Sequence, residues 1–167
     1  MKVFFYRTKI GKVGVAEENG SITDVFLPGD SAPAEAEICE TGVIKEAARQ
    51  LNAYFAGELR EFSLPLSPRG SEFMKKVWKA LCGVPYGKTA SYKEIAAAIG
   101  NPKATRAVGL ANNRNPIPII IPCHRIIGSD GKLVGYGGGL DLKKKLLEIE
   151  RRIRILSLRA GGRDPLP

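Results

Sequence analysis

The chain is poor in the residues that build metal sites and disulfide frameworks. Among 167 residues there is one histidine, His124, and there are three cysteines, Cys39, Cys82 and Cys123. An odd and sparse cysteine count argues against a disulfide scaffold and fits a reducing compartment. With one histidine and no C-x-x-C pair, a zinc site lacks ligands, so no metal and no cofactor is expected. Nor is there an apolar run of about 18 residues, the length a spanning helix needs. The start, Met1-Lys-Val-Phe-Phe-Tyr-Arg7, has no extended apolar stretch of the signal-peptide kind. The expectation is a soluble cytoplasmic protein without a membrane partner.

What the chain does have is positive charge. Its formal net charge is +9 with 44% apolar residues. The apolar share suffices for a real core in one or two domains. The charge favours a polyanionic partner, most simply nucleic acid, although solubility alone also accounts for a basic surface.

Residues 1 to 30 read as β structure. Val3-Phe4-Phe5-Tyr6, Val13 to Val15 and Ile22 to Leu27 are short β-prone runs, and Asn19-Gly20 is a hairpin turn. Residues 29 to 37 read as a loop. A helical stripe follows, through Val43, Ile44, Ala47, Ala48, Leu51, Tyr54 and Phe55, closed by Gly57. Residues 57 to 70, with two prolines and two glycines, read as a connection. Ser71 caps a second helix whose apolar face is Phe73, Val77, Trp78 and Leu81. Ser91-Tyr-Lys-Glu94 is a capping box, and Gly100 stops that helix. Asn101 and Pro102 read as N-cap and first residue of the next, which continues from Lys103 to Ala111. Two short helices joined this way are a helix-turn-helix candidate. Lys103, Thr105 and Arg106 can meet phosphates, while small residues between them allow close approach. Residues 140 to about 155 return to helix, with Leu142, Leu146, Leu147 and Ile149 as the stripe. The end is basic, then Gly/Pro-rich, and poor order is expected there.

Two glycine-rich stretches are decoys. Gly83 to Gly87 holds three residues between its glycines where a phosphate loop needs four, and a helix rather than a strand precedes it. Gly135-Tyr-Gly-Gly-Gly139 misses the dinucleotide spacing and reads as a turn beside a pocket. The chemistry points instead to Ile117-Pro-Ile-Ile-Ile-Pro-Cys-His-Arg125. The Ile run reads as a buried strand, and Pro122 as the turn that presents Cys123. Cys39 and Cys82 are expected to be small buried hydrophobes. A thiolate needs a base or a positive field, and consecutive side chains rarely face each other, so His124 would act through a water. An acid is then needed to orient it, and Glu148 and Glu150 are the candidates. A reactive cysteine, a thiol hydrolase and a structural cysteine all remain open on these grounds.

Pro122-Cys-His-Arg125 with Asn115 to Ile121 resembles the active-site signature of the O6-alkylguanine-DNA alkyltransferases. Ser91-Tyr92, Gly100 to Lys103, Arg106 to Gly109, Gly135-Tyr136, Gly138 to Leu140 and Glu150 fall at family-like spacing. The resemblance covers residues 71 to 150 strongly and residues 1 to 65 in general character. It implies an α/β (α+β) fold. A small N-terminal sheet-and-helix domain (1–65) would precede a mainly helical, winged-helix-like domain (66–155) with the helix-turn-helix and the cysteine, then a basic tail (156–167).

The implied activity is direct, single-turnover repair of O6-alkylguanine, with O4-alkylthymine open as a second substrate. The implied partner is duplex DNA, entered from the minor groove by a monomer, with the alkylated base flipped out. Cys123 would be the nucleophile, His124 its base, Glu150 the support of His124, and Tyr92 a donor to the leaving guanine. Asn115 would brace the segment, and Arg106 would fill the gap left by the base. Lys93, Asn101, Lys103, Thr105 and Ser129 would contact DNA; Pro118, Val134, Tyr136, Gly137 and Gly138 would line the pocket. The chain departs from the family in three places. The N-terminal part has no histidine for the zinc site of some relatives. Gly137 stands where serine is frequent, and Asn112 where an apolar residue can occur. A non-catalytic helix-turn-helix protein that senses lesions is the alternative.

Overall fold

Asn19 and Gly20 carry φ of +51° and +84°, the pair of left-handed residues that a two-residue hairpin turn needs. They join β2 (Gly11–Glu18) to β3 (Ser21–Phe26), and β1 (Lys2–Thr8) pairs with β2 on its other side. The structure, a computed structural model, describes residues 1–159, with side chains described as far as Arg152. It divides into two compact units: Met1–Arg69 with Pro116–Ile120, and Gly70–Asn115 with the chain from Ile121 onward.

The first unit is a four-stranded sheet, ordered β3-β2-β1-β4, with one helix. Strand β4 (Glu37–Ile38) pairs parallel with β1 at the end of the stretch expected to be a loop. Two residues are too few for an alternating pattern, so composition could not reveal it. Helix α1 (Gly42–Phe55) begins at Thr41, whose side chain accepts from the Ile44 amide. Its stripe of Ile44, Ala47, Leu51 and Tyr54 is buried, as are Val3, Val13, Val15 and Val25 of the sheet. This is the core that the two sequence periods call for.

The segment Ile117–Ile121 is buried but is not a strand. It turns at Ile119-Ile120, and Ile119 has φ of +74°. A β-branched residue in the left-handed region is strained, by about 1–3 kcal/mol. Burial of Ile117, Ile119 and Ile120 in the first unit holds it there. An apolar run looks the same whether it extends or folds back.

In the second unit α2 (Glu72–Cys82) is capped by Ser71, and α3 (Tyr92–Ala98) by the complete Ser91–Glu94 box. Helix α4 begins at Thr105, not at Pro102. Residues Asn101 to Ala104 form one turn instead, closed by the Ala104 amide donating to the Asn101 carbonyl. The first helical bond runs from Val108 to Ala104, and α4 ends at Asn113. Trp78 of α2 is buried and donates to the Ala111 carbonyl of α4 at 2.9 Å. Strands β5 (Ala90–Ser91) and β6 (Ile126–Ile127) pair in parallel.

Helix α5 runs from Leu140 to Arg159, beyond the expected end. Its deepest face is Lys143, Leu146 and Glu150, while Leu142, Leu147 and Ile149 are half-buried. Two charged residues thus take places expected for leucines. Cys82 is exposed and Cys39 half-buried, so neither is the buried hydrophobe expected. Residues 160–167 of the basic tail lie outside the described residues.

Candidate active site

Cys123, His124, Arg125 and the side chains that hold them belong to the second unit. Cys123, His124 and Arg125 form a single 3-10 turn entered from Pro122. Cys123 is 4% exposed. Its amide donates to the Ile121 carbonyl at 2.8 Å, a tight local closure. Two asparagines hold the peptide on either side: Asn115 Nδ2 donates to Ile121 O at 2.8 Å, and Asn112 Nδ2 to Cys123 O at 3.4 Å. Asn112, at a place where the resemblance allows an apolar residue, thus holds the cysteine's own carbonyl.

His124 is fully buried, and its Nε2 lies 2.6 Å from Glu150 Oε2. Glu148, the rival candidate, is exposed two residues away. The Glu150 carboxylate also accepts from Arg125 Nε at 2.9 Å, Arg125 Nη2 at 3.2 Å and the Gly87 amide at 3.0 Å. Burial would push the Glu150 carboxyl up, but His124 and Arg125 outweigh it and hold it down at about 2. Burial pushes the His124 imidazole below its ordinary value, against the opposing pull of Glu150. The fixed charge of Arg125 keeps Glu150 ionised, so the resting pair is a neutral imidazole donating from Nε2 to a carboxylate. An ionised carboxylate only accepts, which places the proton on Nε2 and the basic lone pair on Nδ1.

Arg125 is therefore part of the site. Its Nη1 donates to the Val84 carbonyl at 2.7 Å, and its guanidinium lies 5.7 Å from the Tyr86 ring centre. Lys143 is a second member without any local signal except its place seven residues before Glu150. It is fully buried; its Nζ donates to the carbonyls of Ile126, Val134 (2.9 Å) and Gly135 (3.2 Å). One ammonium thus ties together two parts of the loop eight or nine residues apart in the chain. Burial draws its pKa down, while the nearby Cys123 opposes this.

Tyr92 is half-buried at the start of α3, and its hydroxyl donates to the same Val134 carbonyl at 2.9 Å. Burial, then Cys123, push its phenol up, so it stays protonated. Tyr136 has a buried hydroxyl, and burial, then Cys123 and Glu150, push it up as well. Gly135 has φ of +58°, and a Cβ there would lie 3.2 Å from Asn113 Oδ1. Gly137 is exposed and Gly138 half-buried.

Lys93 is exposed in the first turn of α3, and Asn101, Lys103, Thr105 and Arg106 are exposed in the turn between α3 and α4 and on the start of α4. Ser129 is exposed in the Gly128–Gly131 turn. Pro118 is buried in the segment that groups with the first unit. Among the described residues no group of three or more His, Cys, Asp or Glu could hold a metal, and no helix is long and apolar enough to cross a membrane.

Two family models match the chain. The one described as 6-O-methylguanine DNA methyltransferase, DNA binding domain, covers residues 72–152. The one described as 6-O-methylguanine DNA methyltransferase, ribonuclease-like domain, covers residues 1–68. The methylated-DNA--protein-cysteine methyltransferase of Methanosarcina barkeri is 68% identical over 106 residues, 64% of this chain and 67% of its own. That of Mycobacterium leprae is 58% identical over 119 residues, 71% of this chain and 72% of its own. A crystal structure of Mycobacterium tuberculosis OGT in complex with DNA superposes with a TM-score of 0.87 at 46% identity, over 92% of this chain and 94% of that one.

Proposed function

The chain belongs to the 6-O-methylguanine DNA methyltransferase family, and from that premise we propose that it repairs DNA by moving the alkyl group of O6-alkylguanine onto Cys123. It is a methylated-DNA--protein-cysteine methyltransferase. The observation that carries the assignment of residues is the buried chain from Arg125 through Glu150 to His124, next to a buried thiol.

The reaction is a displacement at the alkyl carbon. The Cys123 sulfur forms the new S–C bond as the C–O6 bond breaks. His124 Nδ1 takes the thiol proton through a water, and Glu150 stabilises the imidazolium that results. Tyr92 turns its hydroxyl to a ring nitrogen of the base and supplies the proton that makes neutral guanine the leaving group. Tyr92 can leave the Val134 carbonyl cheaply, because Lys143 still donates to that oxygen. The proton on imidazole then restores the phenol, so thiol and alkylguanine become thioether and guanine. Nothing in the site cleaves a thioether, so each molecule acts once.

Arg106 fills the gap left by the flipped base, whose unstacking costs a few kcal/mol. Lys93, Asn101, Lys103, Thr105 and Ser129 hold phosphates. Val134, Tyr136, Gly137 and Gly138 form the pocket wall, and Asn115 braces the cysteine peptide. The protein works as a cytoplasmic monomer that enters duplex DNA from the minor groove, without a metal. Residues 66–155 carry binding and transfer, residues 1–65 support them, and the tail 156–167 adds phosphate attraction. Incubation with a duplex holding one O6-methylguanine tests the reading. The intact chain should restore guanine, and Cys123→Ala should bind the lesion but leave it methylated. Repair by Cys123→Ala would refute it.

A further inference from the structure

The exposed face of α4 has one large apolar side chain, Leu110, that the mechanism leaves unused. Arg106, Leu110 and Asn113 stand at i, i+4 and i+7, on one stripe of the helix. Leu110 is 51% exposed, one of four large hydrophobic side chains so exposed among the described residues. On this stripe it is the one large apolar group among polar and small ones.

The two ends of the stripe have different neighbours. Arg106 is exposed at the start of α4. Asn113 lies against the glycine loop: its side chain is 3.2 Å from where a Gly135 Cβ would stand, and its carbonyl 4.0 Å from that of Gly137. Between them, a Cβ on Gly109 would lie 3.7 Å from the Tyr92 ring. Seven residues of helix rise about 10 Å. An extruded nucleotide must cross that distance, from the gap filled by Arg106 to the pocket bounded by the loop.

We propose that Leu110 is the positioning residue over which this crossing is made, its side chain packed on the deoxyribose of the extruded nucleotide. The inference rests on the function proposed above and deepens it. The sugar is the least polar part of the DNA backbone and asks for no hydrogen bond, so a leucine suits it where an arginine would draw the phosphate instead. Water leaves both apolar surfaces only when the nucleotide is out, so the contact favours the extruded state and not duplex binding in general.

The test compares transfer from a duplex containing O6-methylguanine with transfer from the free O6-methylguanine base, as a ratio of rate constants, using the full chain. Leu110→Ala and Leu110→Ser should lower that ratio about five- to tenfold, the effect expected of burying a half-exposed leucine. Leu110→Met should keep it within about twofold. An unchanged ratio in Leu110→Ala overturns the proposal, as does an equal loss on both substrates, which would mean a role in the pocket itself. If the unaltered chain transfers from neither substrate, the proposed function has failed first, and that is a different result from a working chain with an insensitive ratio.

Discussion

Replacing Glu150 by glutamine tests how far the buried ionic chain supports both fold and chemistry. The carboxylate accepts from the Gly87 amide, Arg125 Nε and Nη2, and His124 Nε2. Glutamine has one acceptor oxygen. If its nitrogen takes the Oε2 place, it meets His124 and Arg125 Nη2. If it takes the Oε1 place, it meets Arg125 Nε and the Gly87 amide. Each orientation sets donor against donor and leaves a buried guanidinium without its anion. Removing one partner of a buried pair costs about 3–5 kcal/mol. With the imidazole no longer held in one tautomer, the proton transfer loses roughly 10²- to 10⁴-fold. Urea unfolding should show the first loss and single-turnover methyl transfer the second.

The pH dependence carries the same test further. The folded-state value of Glu150 is lowered to about 2 from an ordinary 4.5. Its contribution to stability is therefore complete above 4.5 and lost as pH falls towards 2. The shift corresponds to roughly 3 kcal/mol, an order of magnitude for so coupled a group. Glu150→Gln should flatten this part of the acid limb. A variant within about 1 kcal/mol of the parent, with transfer within about tenfold, would refute the reasoning.

Five other outcomes are expected. Lys143→Met should lose about 2–4 kcal/mol in urea unfolding, because the Ile126 and Gly135 carbonyls lose the lysine as donor and that of Val134 keeps only Tyr92; a neutral result would deny the lysine its hold on the loop. Tyr92→Phe should slow transfer by roughly 10²-fold while leaving lesion affinity near its original value in a gel-shift titration. Arg106→Ala should weaken repair of duplex more than of the free base, and affinity for duplex should fall steeply with salt if the +9 charge meets phosphates. Transfer should decline in acid only below the ordinary histidine value of 6.5, because burial lowers the His124 value and keeps its base neutral; a stopped-flow pH profile that bends above that value would point to another base.

Features encoded by neighbours in sequence were legible, and features encoded across the fold were not. The Asn19-Gly20 turn and the Ser71 and Ser91 caps depend on residues within three positions, and each forms as read. The start of α4 was misread because Asn-Pro opens helices and isolated turns alike. The left-handed Ile119 left no trace, since any apolar run can hide a turn once burial outweighs strain. At the site, the resemblance named Glu150, but the elements themselves could not choose between Glu148 and Glu150. Only the phase of α5 decides which faces His124. The same phase buries Lys143, which composition would assign to the surface. Arg125 stood in the signature, yet its part emerges only with Glu150 and Val84 around it.

The central claim is that Cys123 accepts the alkyl group once and keeps it. Mass analysis of the protein after reaction with an excess of O6-methylguanine duplex measures this directly. The account expects one added methyl group per molecule, on the peptide that holds Cys123, and guanine released in equal amount. A methyl group on another residue, or more guanine restored than protein present, would contradict it.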